Sequence, residues 1–282
     1  MCWCNYLTTL LGFGELLESG LWGNVASLLS LLLLAVSLHI VVYKAGDFAP
    51  VPAVLLFIVL VVVNPEWLTF SAVYPASFLL LWSIYCLVSQ RCFYSSALLA
   101  AAILFYPPLL WLFPLMLLTV LLFSTDTLRN IVTSVAGFLM PFIYYGAFRW
   151  IKYNDLLSFW ELFIGMATDF SLPDFSFHLT TIALFLYFLY VIVRTAVPLI
   201  RMKRGRRMRV LGFACYLLIF YSVALYIVCY GSYPEMMNII PAMPAAILTV
   251  YHIGTIENGY AKRAERLLVA AVAVLMLIQT YL

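Results

Sequence analysis

Runs of about 20 apolar residues, the length that crosses a bilayer as a helix, succeed one another along almost the whole chain. The charged side chains fall between them. In water such a chain could not build a surface: 66% of its 282 residues are hydrophobic and 10% charged, against roughly 25% charged in a soluble domain. The surface must therefore face lipid, and helices suit lipid because they satisfy their own backbone hydrogen bonds inside hydrocarbon. The fold class expected is all-α, a polytopic transmembrane helical bundle of nine or ten segments.

Those segments read at 25–43, 50–64, 70–89, 94–106, 107–123, 130–151, 177–199, 210–230, 235–254 and 266–282. Pro107-Pro108 divides 94–106 from 107–123, because proline removes backbone donors and clashes with the preceding turn. These two short pieces either span as a tight hairpin or dip in and return on the same side. Residues 1–24 are too polar to span. Their Leu7, Leu10, Leu11, Leu17 and Leu21 form a stripe opposite Thr8, Gly12, Glu15 and Ser19, so an outer interfacial amphipathic segment is expected. No basic n-region or small-residue cleavage site is present, so no removable signal peptide is expected. Residues 25–282 then make one transmembrane domain, with an outer loop at 152–176 and a cytoplasmic basic loop at 201–209.

Orientation follows from the tendency of Lys and Arg to stay in the cytoplasm. With 201–209 inside, alternation puts twelve basic residues on that side: Lys44, Arg91, Arg129, the six between Arg201 and Arg209, Lys262, Arg263 and Arg266. Two, Arg149 and Lys152, fall outside. Arg194 lies inside a helix, close enough to its cytoplasmic end to snorkel. Both termini are expected on the outer side.

Few sequence features bear chemistry. The six cysteines show no ligand spacing, so no metal site is expected and the cysteines read as small apolar fillers. His39, His178 and His252 lie at or near helix ends with no acid or cysteine partner close in sequence. Phosphate-binding glycine loops and the zinc-protease and serine-elbow motifs are absent, so no nucleotide cofactor is implied.

Arg201, Lys203, Arg204, Arg206, Arg207 and Arg209 form a dense basic stretch. It reads either as a topology determinant or as a contact for anionic lipid headgroups. A nucleic-acid partner is not expected, because no aromatic residue is interleaved. The outer stretch from Arg149 to Ser176 carries two cations, then acids, around an apolar run with Trp160. It reads either as an amphipathic connector or as a place where Arg149 and Lys152 hold a lipid-linked phosphate. Pro234, Pro241 and Pro244 mark a kinked helix suited to a cavity wall. An outer cavity is expected between that helix, the Pro107-Pro108 corner and the stretch after Arg149.

The runs Asn24 to Gly46 and Val63 to Phe123 resemble the transmembrane core of C-type, polyprenyl-phosphate-dependent glycosyltransferases. The similar elements are Pro65 at an outer helix exit, a small outer loop before an aromatic-rich helix, a basic turn at Arg91 and the proline-rich hairpin. The run Tyr233 to Leu248 is similar to the Tyr- and Pro-rich late helix of that superfamily. The layout also resembles an uncharacterised multi-pass inner-membrane family of Bacteroidota-type bacteria. The resemblance implies a protein of the cell inner membrane that handles lipid-linked glycan or polyprenyl phosphate, as a reduced core. A non-catalytic assembly or scaffold subunit of an envelope complex, with membrane-protein partners, and a small-solute transporter are the alternatives. Members of that superfamily carry a catalytic acid in a first outer loop, and Glu15 and Glu18 are the acids nearest that place. Glu66, held near the interface by the short loop after Pro65, is the acid expected to face Arg149 and Lys152.

Overall fold

The computed structural model describes residues 20–45, 50–63, 70–154, 160–161, 164–165, 179–201, 206–229 and 238–281. No strand occurs among the described residues. Helices α1 (Gly20–Ala45), α2 (Pro50–Val62), α3 (Val73–Val88) and α4 (Cys92–Phe105) precede a 3-10 helix, Pro107–Trp111. Then come α5 (Leu112–Phe123), α6 (Thr127–Tyr153), α7 (Leu179–Arg201), α8 (Arg206–Cys229), α9 (Ile239–Thr255) and α10 (Gly259–Tyr281). Stretches within α1, α6 and α8, namely Trp22–Lys44, Thr127–Lys152 and Arg207–Val228, are long and apolar enough to cross a membrane. Shorter apolar helices accompany them.

Each apolar run expected to span is helical. The largest differences lie at two helix starts. Arg206 to Arg209 and Lys262 to Arg266 are helical rather than loop, because Arg, Lys, Glu and Ala are strong helix formers whatever their charge.

The bundle is organised around α9. Every residue from Ile239 to Tyr251 is buried, and α2, α3, α7, α8 and α10 all touch this helix. Its small residues, Ala242, Ala245 and Ala246, let neighbouring backbones approach closely. Pro241 stands in the first turn, where its missing N–H is no loss. Pro244 stands inside the helix and removes the donor that would bind the Ile240 carbonyl. The Thr249 hydroxyl is paired with the Tyr187 hydroxyl of α7 at 2.8 Å. This helix is therefore the central pillar of the bundle rather than a cavity wall, because close packing on all sides leaves it no open face.

On one flank, α4 lies between α3 and α6. Gln90, in the left-handed region at φ 62°, ends α3 in a tight turn. Two backbone bonds close that turn, Arg91 N to the Cys86 carbonyl at 2.9 Å and Gln90 N to the Leu87 carbonyl at 3.0 Å. The antiparallel pair so formed is clasped by two serines. Ser83 Oγ donates to the Ser95 carbonyl and Ser95 Oγ to the Ser83 carbonyl, each at 2.7 Å.

Helix α4 ends where Tyr106, preceding a proline, takes an extended conformation (φ −139°, ψ 88°). Pro107, Pro108 and Leu109 are buried, and the Tyr221 hydroxyl of α8 donates to the Pro108 carbonyl. Aromatic packing continues along α6, with Phe113 stacked on Phe138 at 3.7 Å between ring centres and Phe142 next in line.

Gly137 brings α6 against α4. A methyl group at this position would collide with the Phe93 backbone, running into its carbonyl oxygen and lying 3.0 Å from its carbonyl carbon. Gly137→Ala is therefore expected to destabilise the protein by about 1–3 kcal/mol through overpacking. Gly254→Ala, where an added carbon meets nothing within 4 Å, is expected to be neutral or to gain up to about 1 kcal/mol. Thermal unfolding of the two variants in detergent checks the opposite signs.

Candidate functional site

Arg149 extends the buried stripe of α6 formed by Ser134, Gly137, Phe142 and Gly146. It is 5% exposed, so it does not snorkel. Lys152, three residues on, is exposed, and its ammonium lies 5.5 Å from the centre of the Phe148 ring. The two cations thus share the last turns of α6 but have different surroundings. Asn154, left-handed at φ 51°, terminates this helix. Trp160 packs on Phe142 at 5.8 Å, so this part of the following segment lies back along α6, while Glu161 is exposed. Glu15, Glu18, Glu66, Asp155, Lys203, Arg204 and Pro234 lie outside the described residues. Arg201 closes α7 and Arg206 opens α8. Arg207 and Arg209 are exposed on the first turn of α8.

A polar cluster that the sequence reading did not find sits at the opposite end of the bundle from Arg149. Glu265, 7% exposed on the second turn of α10, presents its Oε1 to three side chains. The Tyr190 hydroxyl donates to it at 2.5 Å, His252 Nε2 at 3.0 Å and an Arg194 guanidinium nitrogen at 3.2 Å. A carboxylate only accepts, so Nε2 carries the proton. Tyr190 and Arg194 are one turn apart on α7, with the guanidinium 6.0 Å from the Tyr190 ring centre. His252 comes from the last turn of α9. The network therefore ties α7, α9 and α10 together. The Nδ1 atom of His252 is buried with no hydrogen-bond partner among the described residues.

Arg194 does reach toward the helix end, with 53% of its side chain exposed, but it does so paired. His252 and Glu265 meet because residues 256–258 form a short connection between antiparallel helices. The sequence places Glu265 in the connection between segments 235–254 and 266–282, where no helix face pairs it with His252. The signal available in the sequence was the helix-forming composition of Ala261 to Arg266.

Two cavities lie away from the places where an outer cavity is expected. One, of about 520 Å³, is lined by Phe123, Ile192, Ala196, Arg209 and aromatic residues of α8. The other, of about 30 Å³, is lined by α3, α4, α5 and α8 residues. Neither is lined by Pro107, Pro108, Arg149 or any residue of α9. Among the described residues, no group of three or more His, Cys, Asp and Glu side chains is placed to hold a metal ion. No protein-family model matches the chain, and no curated protein or solved structure matches it either.

Replacing Glu265 by Ala takes the acceptor from the part-buried Tyr190 hydroxyl and His252 Nε2 and is expected to cost about 1–3 kcal/mol. Arg194→Ala is expected to cost under about 1 kcal/mol, since the guanidinium remains in contact with solvent. The double variant is expected to fall short of the sum, because the two residues share one interaction. A double-mutant cycle on thermal unfolding measures the shortfall.

Proposed function

We propose that this chain is a multi-pass protein of the cell inner membrane, with nine or ten crossings and both termini outside. In this reading it handles a lipid-linked glycan or polyprenyl phosphate, as a reduced core of the C-type glycosyltransferase kind. The observation that carries the reading is the burial of Arg149, at 5% exposure, at the end of α6 that the positive-inside bias assigns to the outer face. A cation on that face runs against the bias, and a charge-assisted pair with an anion would give it a role there. A phosphate carried on a lipid is an anion that can reach such a place from the bilayer. Lys152, next to it and exposed, adds positive charge at the mouth. Glu66 is the acid assigned to the same outer interface. Partners of this reading are membrane lipid and a lipid-linked phosphate.

A second reading, a small-solute transporter, is favoured by the Glu265 cluster. Paired ionisable groups held between helices mark ion or proton pathways in membrane proteins, and His252 Nδ1 is buried with no hydrogen-bond partner among the described residues. The cluster lies in the last turn of α9 and the second turn of α10, away from the middle of the bundle, so this reading ranks below the first. A scaffold subunit needs neither Arg149 nor Glu265 to be chemically active.

Binding of polyprenyl phosphate, followed by native mass spectrometry of the purified protein, separates the three. Arg149→Ala is expected to weaken binding at least about tenfold, in line with about 1.5–3 kcal/mol for a charged hydrogen bond. Glu66→Gln is expected to leave binding intact and to abolish any glycosyl transfer. Undiminished binding in folded Arg149→Ala would overturn the lipid-phosphate reading. Proton flux into dye-loaded proteoliposomes that is lost in Glu265→Gln would establish transport in its place.

A further inference from the structure

The cavity of about 520 Å³ lies between α5, α7 and α8, at the end of the bundle that carries the basic residues. On α8 its wall is a single helical face: Arg209, Phe213, Tyr216, Leu217 and Phe220 recur at intervals of three and four. From Arg209 to Phe220 this face runs about 16 Å along the helix axis. Ile192 and Ala196 form the α7 wall, and Phe123, 5.4 Å from the Phe213 ring, closes the α5 side. The Tyr216 hydroxyl is engaged by Thr195, so its ring serves as a wall and its polar atom is already satisfied. The groove is thus apolar along its length and ends on one cation. Arg207, exposed on the same turn of α8, adds a second positive charge beyond the groove end. Asp126 and Arg129, exposed at the junction of α5 and α6, balance one another in charge.

We propose that this groove binds one anionic phospholipid, with an acyl chain lying along Phe213, Tyr216 and Phe220 and its phosphate on Arg209. Two observations select this occupant. The first is complementarity: an apolar trough closed by an arginine matches a molecule with a long hydrocarbon tail and a negative head. Basic pockets between transmembrane helices hold anionic headgroups in this manner. The second is size. The groove is a narrow trough of about 520 Å³ running about 16 Å along α8. A single hydrocarbon chain is thin enough to enter. This site stands at the opposite end of the bundle from Arg149 and does not depend on the reading of that residue.

The experiment places the full chain in nanodiscs of equal phosphatidylglycerol and phosphatidylcholine and counts the lipids retained after release, by native mass spectrometry. The wild-type protein is expected to retain phosphatidylglycerol at least about fivefold over phosphatidylcholine, the ratio that one basic contact of about 1 kcal/mol gives. Arg209→Gln is expected to abolish that preference while some lipid is still retained. Ala196→Trp, which fills the groove, is expected to lose the retained lipid. Equal retention of the two lipids by the wild-type protein would overturn the proposal. So would an unchanged preference in folded Arg209→Gln, which keeps the test decisive even if Ala196→Trp fails to fold. A photoreactive benzoylphenylalanine in place of Phe220 is expected to cross-link to lipid, and cross-linking to a protein instead would also overturn it.

Discussion

Thirteen consecutive residues of α9, Ile239 to Tyr251, are buried on every side, and the other helices are disposed so as to make that possible. A helix apolar all round can be stable only where it has neighbours all round. Five helices supply them. Ala242, Ala245 and Ala246 let neighbours approach the α9 backbone, while Ile240, Met243, Ile247 and Leu248 fill the remaining contacts. The interior is consequently dense, and the cavities described lie between outer helices. This explains why a proline-rich segment, which on its face favours an open and kinked wall, instead forms the least accessible part of the molecule.

The helices were legible because their signal is local. A run of apolar residues between charged turns specifies a helix wherever it ends up, and each of the ten runs is helical. The site residues were legible only where chemistry and position coincide along the chain. Arg149 stood out as a cation on the side with few cations, yet its burial depends on how α6 packs in the bundle, which no short window reveals. Glu265 was invisible for a related reason. Its partners lie 13, 71 and 75 residues away, and a helix crossing, not a motif, brings them together. The Pro107-Pro108 corner was located from sequence, but its burial follows from a hydroxyl 113 residues away.

Charge is distributed unevenly between the two ends, and the described network moderates it. The end bearing Arg207, Arg209, Arg263 and Arg266 is strongly basic, and Glu265 is the acid that draws Arg194 and His252 inward there. It satisfies three donors from within the bundle, which leaves the outward-facing arginines available to anionic lipid. At the other end, Arg149 is sequestered and Lys152 rests on an aromatic ring. Among the described residues, the molecule thus presents several exposed arginines at one end, and one buried arginine beside one exposed lysine at the other.

The shortness of α4 has a consequence for how the molecule is made. Its 14 residues reach about 21 Å along their axis, less than the hydrocarbon thickness of about 30 Å. Such a segment is a poor independent crossing. The three-residue turn after α3 and the reciprocal serine bonds give it a partner at once, and Gly137 lets α6 cover its other side. Helix association in membranes is commonly pictured as insertion of stable helices followed by their packing. For a segment this short the two stages would merge in a bilayer, since its residence there would depend on contacts with its neighbours, so weakening the α4–α6 contact would compromise topology as well as stability.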